Sequence, residues 1–164
     1  MIKQILKNRI CLLDIRMIKI REAKPTDFPR LEEILIENNM LTSPEIDGKD
    51  AMLEIYKRMG KYFLVAEIDN CVVGLIRGCF DGSRALIHQM AVDKKHQRRG
   101  IGKQLIFGIA SRLKSDGAKS ISVTTTKNSK EYYTKLNFSD LPITLMVCFD
   151  IDNVIKNTKP QNFT

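Results

Sequence analysis

Three apolar strings, YFLVAEI, VVGLIRGCF and ALIHQMAV, follow one another between Tyr62 and Val92, broken only around Asp69-Asn70 and Asp81-Gly82. Each string has strand length, and both breaks are dipeptides that suit tight hairpin turns. The middle of the chain is therefore predicted to be an antiparallel three-strand meander. That choice restricts everything around it, because a meander needs layers to cover its faces.

The flanking segments supply them. From Met17, MIKIREAKPTDFPRL alternates like a first strand and then opens a helix. Thr26 or Asp27 can cap that helix, Pro29 fits its first turn, and Leu31, Ile34 and Leu35 form its apolar face before it ends near Asn38. LTSPEIDG reads as loop. A second helix over about Lys49 to Met59 carries Met52, Ile55, Tyr56 and Met59 at helical spacing. After the meander, Ile101, Leu105, Ile106, Ile109 and Leu113 share one helical face, and Asp116-Gly117 stops the helix. SISVTTT reads as a strand, Ser129 to Leu136 as a short helix, and ITLMVCFD as a last strand.

Composition bounds the remaining questions. A chain of 164 residues with 43% hydrophobic content can bury one core. Residues 1–16 form a basic, weakly amphipathic extension of uncertain structure, residues 17–150 the domain, and residues 151–164 a polar tail expected not to fold on its own. Lys+Arg 27 against Asp+Glu 19 gives a net charge of +8, which favours an anionic partner without choosing one. Cys11, Cys71, Cys79 and Cys148 show no CxxC spacing, so neither a zinc site nor a disulfide framework is expected, and a cytoplasmic location is the default. No apolar stretch approaches the roughly 20 residues that span a bilayer, so no membrane role is expected.

The chemistry concentrates in HQRRGIG, His96 to Gly102, which joins the end of ALIHQMAV to the next helix. A glycine-bearing turn at a helix N-terminus is a generic anion site, because free backbone N–H groups converge there and the helix dipole adds positive potential. Two familiar phosphate loops fail. The dinucleotide pattern GxGxxG needs glycine where Leu105 stands, and the triphosphate loop GxxxxGK[ST] needs other residues at Gln97 and Gln104.

QRRGIG does match the Q/R-x-x-G-x-G/A loop of the GNAT N-acetyltransferase superfamily, and AVDKKHQRRGIGKQLI resembles that family's strand, loop and helix at matching spacing. EYYTKLNF resembles its later motif, commonly FYEKLGF, with Asn137 at the motif's glycine. The likeness runs from about Met17 to Phe149. It implies an α+β fold, a three-layer α/β/α sandwich on a mixed, mostly antiparallel sheet whose fourth and fifth strands splay apart.

The resemblance further implies acetyl-CoA as co-substrate and no metal. Gln97, Arg98, Arg99, Gly100, Ile101, Gly102 and Lys103 would cradle its pyrophosphate, with Lys94 and Lys95 adding long-range attraction. Met90, Ala91 and Val92 would pair with its pantetheine arm beside a strand bulge. Asn128 is a further cofactor contact, standing near Thr126, where many members carry asparagine. Acetyl transfer to an amine needs an acid for the departing thiolate, a polarised carbonyl and a neutral nucleophile. Tyr133 aligns with the family tyrosine and is the candidate acid, while a backbone N–H among Met90 to Val92 would polarise the carbonyl.

No glutamate stands on ALIHQMAV or SISVTTT, where the family often has its base. His88, Glu67 acting through water, or no dedicated base are the three sources left open. The resemblance implies an amine of a small molecule or peptide as acceptor, in a pocket shaped by NNMLTSPEIDG and by Leu141 to Thr144, and the chain is expected to be a monomer or homodimer. A coenzyme A-binding domain without catalysis, and a basic nucleic-acid module, are the competing classes; the glycines and the tyrosine motif speak against nucleic acid.

Overall fold

The meander's turns adopt the backbone that their residues permit. Asp69 and Asn70 have φ of 51° and 62°, as a type I′ turn requires, and Gly82 has φ of 98°. The computed structural model describes residues 17–158. Residues 1–16 and 159–164, which include the N-terminal extension and the end of the tail, lie outside the described residues.

Five strands form one sheet in chain order: β1 (Lys19–Glu22), β2 (Phe63–Ile68), β3 (Cys71–Phe80), β4 (Arg84–Val92) and β5 (Ser120–Val123). The first three junctions are antiparallel and β4–β5 is parallel. This is the mixed, mostly antiparallel α+β sheet that the sequence implies. Helices α1 (Phe28–Glu37), α2 (Pro44–Asp47) and α3 (Lys49–Met59) precede β2, and α4 (Ile101–Ser115) connects β4 to β5.

Both faces of the sheet are covered, which explains why β2 is apolar at almost every position rather than alternating. On one face Phe28, Leu31, Ile34 and Leu35 of α1 and Met52 of α3 pack with Phe63, Val65, Leu75 and Ala91. Phe28 stacks on Phe63 with centroids 5.9 Å apart. On the other face lie Ile101, Leu105, Ile106, Ile109 and Leu113 of α4, the positions predicted from their spacing. A Cβ on Gly78 would come within 2.6 Å of the Leu86 carbonyl oxygen and 3.2 Å of Ile109 Cδ1, so glycine sets how closely α4 and β4 approach β3.

Two local readings ahead of the meander change. Asp27 stands just ahead of α1 but makes no cap bond to it; its carboxylate accepts from the Lys24 amide at 2.8 Å and from Arg21 Nη1 at 2.7 Å. The stretch read as loop contains α2, where Ser43 O accepts from both the Ile46 and Asp47 amides and Pro44 begins the turn. Asp47, at its end, is 3% exposed and forms an ion pair with Arg77 of β3, while its other oxygen accepts from the Thr42 amide at 2.9 Å.

The residues from Thr124 onward form a separate compact unit. Its α5 (Lys127–Thr134) starts two residues earlier than predicted and is followed by Asn137 at φ 65°, the left-handed position that asparagine tolerates. ITLMVCFD is not a strand: Ile143, Leu145, Met146, Val147 and Phe149 are exposed and no ladder includes them. A strand-like pattern specifies nothing without a neighbouring edge to pair with. The tail, read as too polar to fold, instead forms α6 (Ile151–Thr158), with Asp150 Oδ1 accepting from the Asn153 amide at 3.3 Å and Lys156 near the C-terminal dipole.

The buried ion pair yields a stability test. Asp47→Ala strands the Arg77 guanidinium and is expected to cost about 3 kcal/mol, whereas adding Arg77→Met recovers most of the loss. Urea denaturation of the two variants checks both values.

Candidate functional site

The site begins with a slip in register. Arg77 pairs with Gln89 but Gly78 pairs with Ile87, which leaves His88 as the extra residue of a bulge in β4. Just beyond this point β5 leaves the sheet, since it pairs only with Arg84 to Ile87. From His88 onward the outer edge of β4 is therefore open, and this is the splay expected between the fourth and fifth strands.

Backbone phase decides what that edge presents. The Asp93 amide donates to Val73 O at 2.9 Å, so Ala91 and Gln89 share its phase toward β3. Met90 and Val92, in the alternate phase, direct their N–H and C=O groups at the open edge. One of these groups is already engaged: Val92 O accepts from Asn38 Nδ2 and from Gln97 Nε2, both at 3.1 Å. Ala91 is 4% exposed and packs into the core, so of the three predicted strand contacts Met90 and Val92 offer the edge and Ala91 supports it.

The loop is fastened at its root. Asp93 is 4% exposed, caps the short turn Lys94–His96 by accepting from the Lys95 amide at 2.7 Å, and pairs with Arg30 of α1. Burial pushes the Asp93 carboxyl upward, but the Lys95 amide, His96 and Arg30 together hold it below its usual value. Gln97 Nε2 also donates to Asn38 Oδ1 at 3.0 Å. The Gln97 side chain thus braces the loop against α1 and β4 rather than projecting from it.

Beyond the brace the backbone turns left-handed twice, at Arg98 with φ 61° and at Gly100 with φ 82°. Gly100 immediately precedes α4, and a Cβ built on it meets no atom within 4 Å. The first backbone bond of the helix runs from the Gln104 amide to Gly100 O, so the amides of Ile101, Gly102 and Lys103 head the helix without intrahelical acceptors. Buried Ile101 anchors that end, while Arg98, Arg99 and Lys103 are exposed beside it. Unpaired amides at a helix N-terminus, with cations beside them, make a backbone cradle of the kind that can accept an anion.

The titratable candidates differ in state. His88 is exposed on the bulge, and its pKa is held below the usual 6.5 first by desolvation and then by Arg77, so the imidazole is neutral at neutral pH. Cys79 Sγ lies 3.4 Å from its Nε2. Glu67 is bound by Arg21 Nε at 2.7 Å and by Lys19 at 3.8 Å, and Arg21 holds its carboxyl below the usual range, which makes it a weak base. In the second unit Tyr133 is 8% exposed, with edge-to-face contacts to Tyr132 and Phe138 at 5.3 and 5.5 Å, and burial pushes its hydroxyl up to about 12. Asn128 is exposed in the first turn of α5.

Asn38, Arg30 and Asp93 escaped the sequence reading. Asn38 registered only as a helix end and Asp93 only as a member of AVDKKHQRRGIGKQLI, because nothing local reveals partners 54 and 63 residues away. Among the described residues no group of His, Cys, Asp or Glu is placed to hold a metal, and no helix is long and apolar enough to cross a membrane.

Known proteins resemble this chain in sequence and in fold. Residues 28–138 match the model of the acetyltransferase (GNAT) family. The acetyltransferase YE1169 of Yersinia enterocolitica is 25% identical over 129 residues, covering 74% of this chain and 87% of that protein. The crystal structure of Ard1 from Thermoplasma volcanium superimposes with a TM-score of 0.66 at 25% identity, over 74% of this chain and 82% of that one. The aminoglycoside acetyltransferase meta-AAC0020, from an uncultured soil metagenomic sample, shares the fold with a TM-score of 0.67 at 19% identity, over 83% of this chain and 99% of that one.

The cradle predicts a separation of folding from binding. Gly100→Val places a β-branched residue at positive φ and is expected to cost about 1–2 kcal/mol of stability. The added side chain stands next to the free amides of Ile101 to Lys103, and the expected result is that acetyl-CoA raises the melting temperature less than in the unaltered chain, as thermal shift with and without ligand would show.

Proposed function

The chain belongs to the acetyltransferase (GNAT) family, and from that membership we propose that it transfers the acetyl group of acetyl-CoA to a primary amine of a small molecule or a peptide. The observation that carries the proposal is the open edge of β4 running straight into the backbone cradle at the head of α4. An extended arm can pair with that edge while a pyrophosphate sits on the amides of Ile101 to Lys103. The residues suit such a group, because the amides of Ile101 to Lys103 have no intrahelical acceptor and Gly100 beside them carries no side chain.

Acetyl-CoA supplies an activated acyl thioester; the chain supplies position and protons. The backbone amides of Met90 and Val92 on the open edge are the donors for charge that builds on the acyl oxygen. They are held in place, because the Asn38 and Gln97 side chains fix the end of the strand. Arg98, Arg99 and Lys103 attract the polyanionic donor from a distance.

His88 is the candidate base. It stands at the bulge, at the end of the open stretch remote from the loop, and its lowered pKa keeps it ready to accept a proton at neutral pH. Tyr133 is the candidate acid. Its motif position supports the assignment, as does a raised pKa that keeps the phenol protonated throughout the neutral range. Asn128 remains a candidate cofactor contact on its position near the family's asparagine alone.

The acceptor is an amine on the evidence of the family chemistry, and relatives such as the soil aminoglycoside acetyltransferase illustrate a small-molecule acceptor. A strongly cationic acceptor finds less support, because Asp47 is neutralised by Arg77 instead of facing a ligand.

Thiol release measured with a panel of amines tests the activity. Tyr133→Phe is expected to lower kcat about 100-fold while the Kd for acetyl-CoA stays within about 3-fold. Retained acetyl-CoA binding with no release from any amine would instead identify a binding domain.

The pH profile has a signed expectation. His88 must be unprotonated to act, so kcat falls as pH drops through its pKa, with a midpoint below 6.5 that is absent in His88→Gln. Tyr133 must be protonated, and with its pKa pushed up to about 12 no alkaline fall in kcat is expected in the weakly basic range.

A further inference from the structure

The bulge that opens β4 also brings together a thiol and an imidazole that no part of cofactor binding requires. Gly78 faces α4, since a Cβ there would meet Ile109, so the next residue, Cys79, points to the opposite face of β3. Cys79 pairs with Leu86, and His88 follows two residues along β4 on that same face. The diagonal relation puts Cys79 Sγ 3.4 Å from His88 Nε2, close enough for the thiol to share its proton with the ring. Cys79 is partly exposed and His88 exposed, so reagents in solution reach the pair.

No other described cysteine is served this way. Cys148 Sγ donates to Asp150 O at 3.1 Å, and the chain's second histidine, His96, stands at Asp93. Cys71 is exposed at the start of β3. Desolvation and, second, the neighbouring Arg77 cation disfavour protonation of His88, which leaves Nε2 available as an acceptor.

We propose that Cys79 and His88 form a nucleophile and base pair that makes Cys79 a site of covalent modification by soft carbon electrophiles. Sγ attacks the electrophilic carbon, an S–C bond forms, the leaving group departs with its electron pair, and the thiol proton passes to His88 Nε2. An adduct on Sγ crowds the imidazole. Its effect on acetyl transfer, a regulatory consequence, rests on the reading of His88 as base; the reactivity of Cys79 does not.

The test is timed alkylation of the full chain with iodoacetamide at neutral pH, followed by peptide mass mapping. Cys79 is expected to react about 10-fold faster than Cys71 and Cys148 despite being less exposed, and His88→Gln to slow Cys79 alone by about 10-fold. Equal rates at the three cysteines, or a Cys79 rate unmoved by the substitution, overturn the proposal. Cys71 and Cys148 report folding within the same sample, and His88→Asn replaces the glutamine variant should that one unfold. In a second arm, alkylated protein should lose amine-dependent thiol release while similarly treated Cys79→Ser keeps it. Unchanged release by the alkylated protein overturns the regulatory consequence. Absence of release before any alkylation counts against acetyl transfer and leaves the alkylation result standing, since that arm contains no acetyl-CoA.

Discussion

One extra residue in β4 governs the active half of the molecule. A regular parallel ladder between β4 and β5 would consume every backbone group along the shared edge. With His88 bulged and β5 paired only as far as Ile87, the amides of Met90 and Val92 point into the split instead. Strand edges are ordinarily covered or blunted because they invite pairing with other chains. Here the exposed edge is short, and it ends directly at a helix N-terminus that attracts anions.

An open edge is useful only if it keeps its shape, and the polar contacts around Val92 provide that. Arg30 of α1 grips Asp93, Asn38 at the end of α1 binds Val92 O, and Gln97 binds both Asn38 and Val92. Four polar side chains, two from α1 and its end and two from the loop after β4, therefore hold one strand end. Asp93 accepts from the Lys95 amide and pairs with Arg30, which is what makes so buried a carboxylate tolerable. The cations that dominate the loop's composition lie outside this framework, exposed at its rim.

The parts legible in the sequence are those set by local rules. The Asp69-Asn70 turn, the apolar stripe of α4, Gly100 before the helix and Asn137 after α5 each express a preference of the residue itself. The family motifs added the order of elements and the splay. What escaped depends on partners far away in the chain: the resemblance implied a bulge, but its place at His88 arises from how two strands register, and Asp47 finds Arg77 30 residues on. ITLMVCFD failed for a related reason, since its pattern satisfies a strand's needs only if an edge is present, and α6 succeeded because Asp150 could start a helix locally. Asp27 shows the reverse case, a residue of the right type diverted by a nearby guanidinium.

The segment between α1 and α3 is held at two points, Asn38 against β4 and Asp47 against Arg77, with short, largely exposed stretches between them. Closing so short a segment costs little entropy once its ends are secured. Leu41 packs against the core, whereas Thr42, Glu45 and Ile46 are exposed, so those three positions are where the segment tolerates substitution best. The segment can thus change what it shows to solvent while its two anchors keep its path fixed.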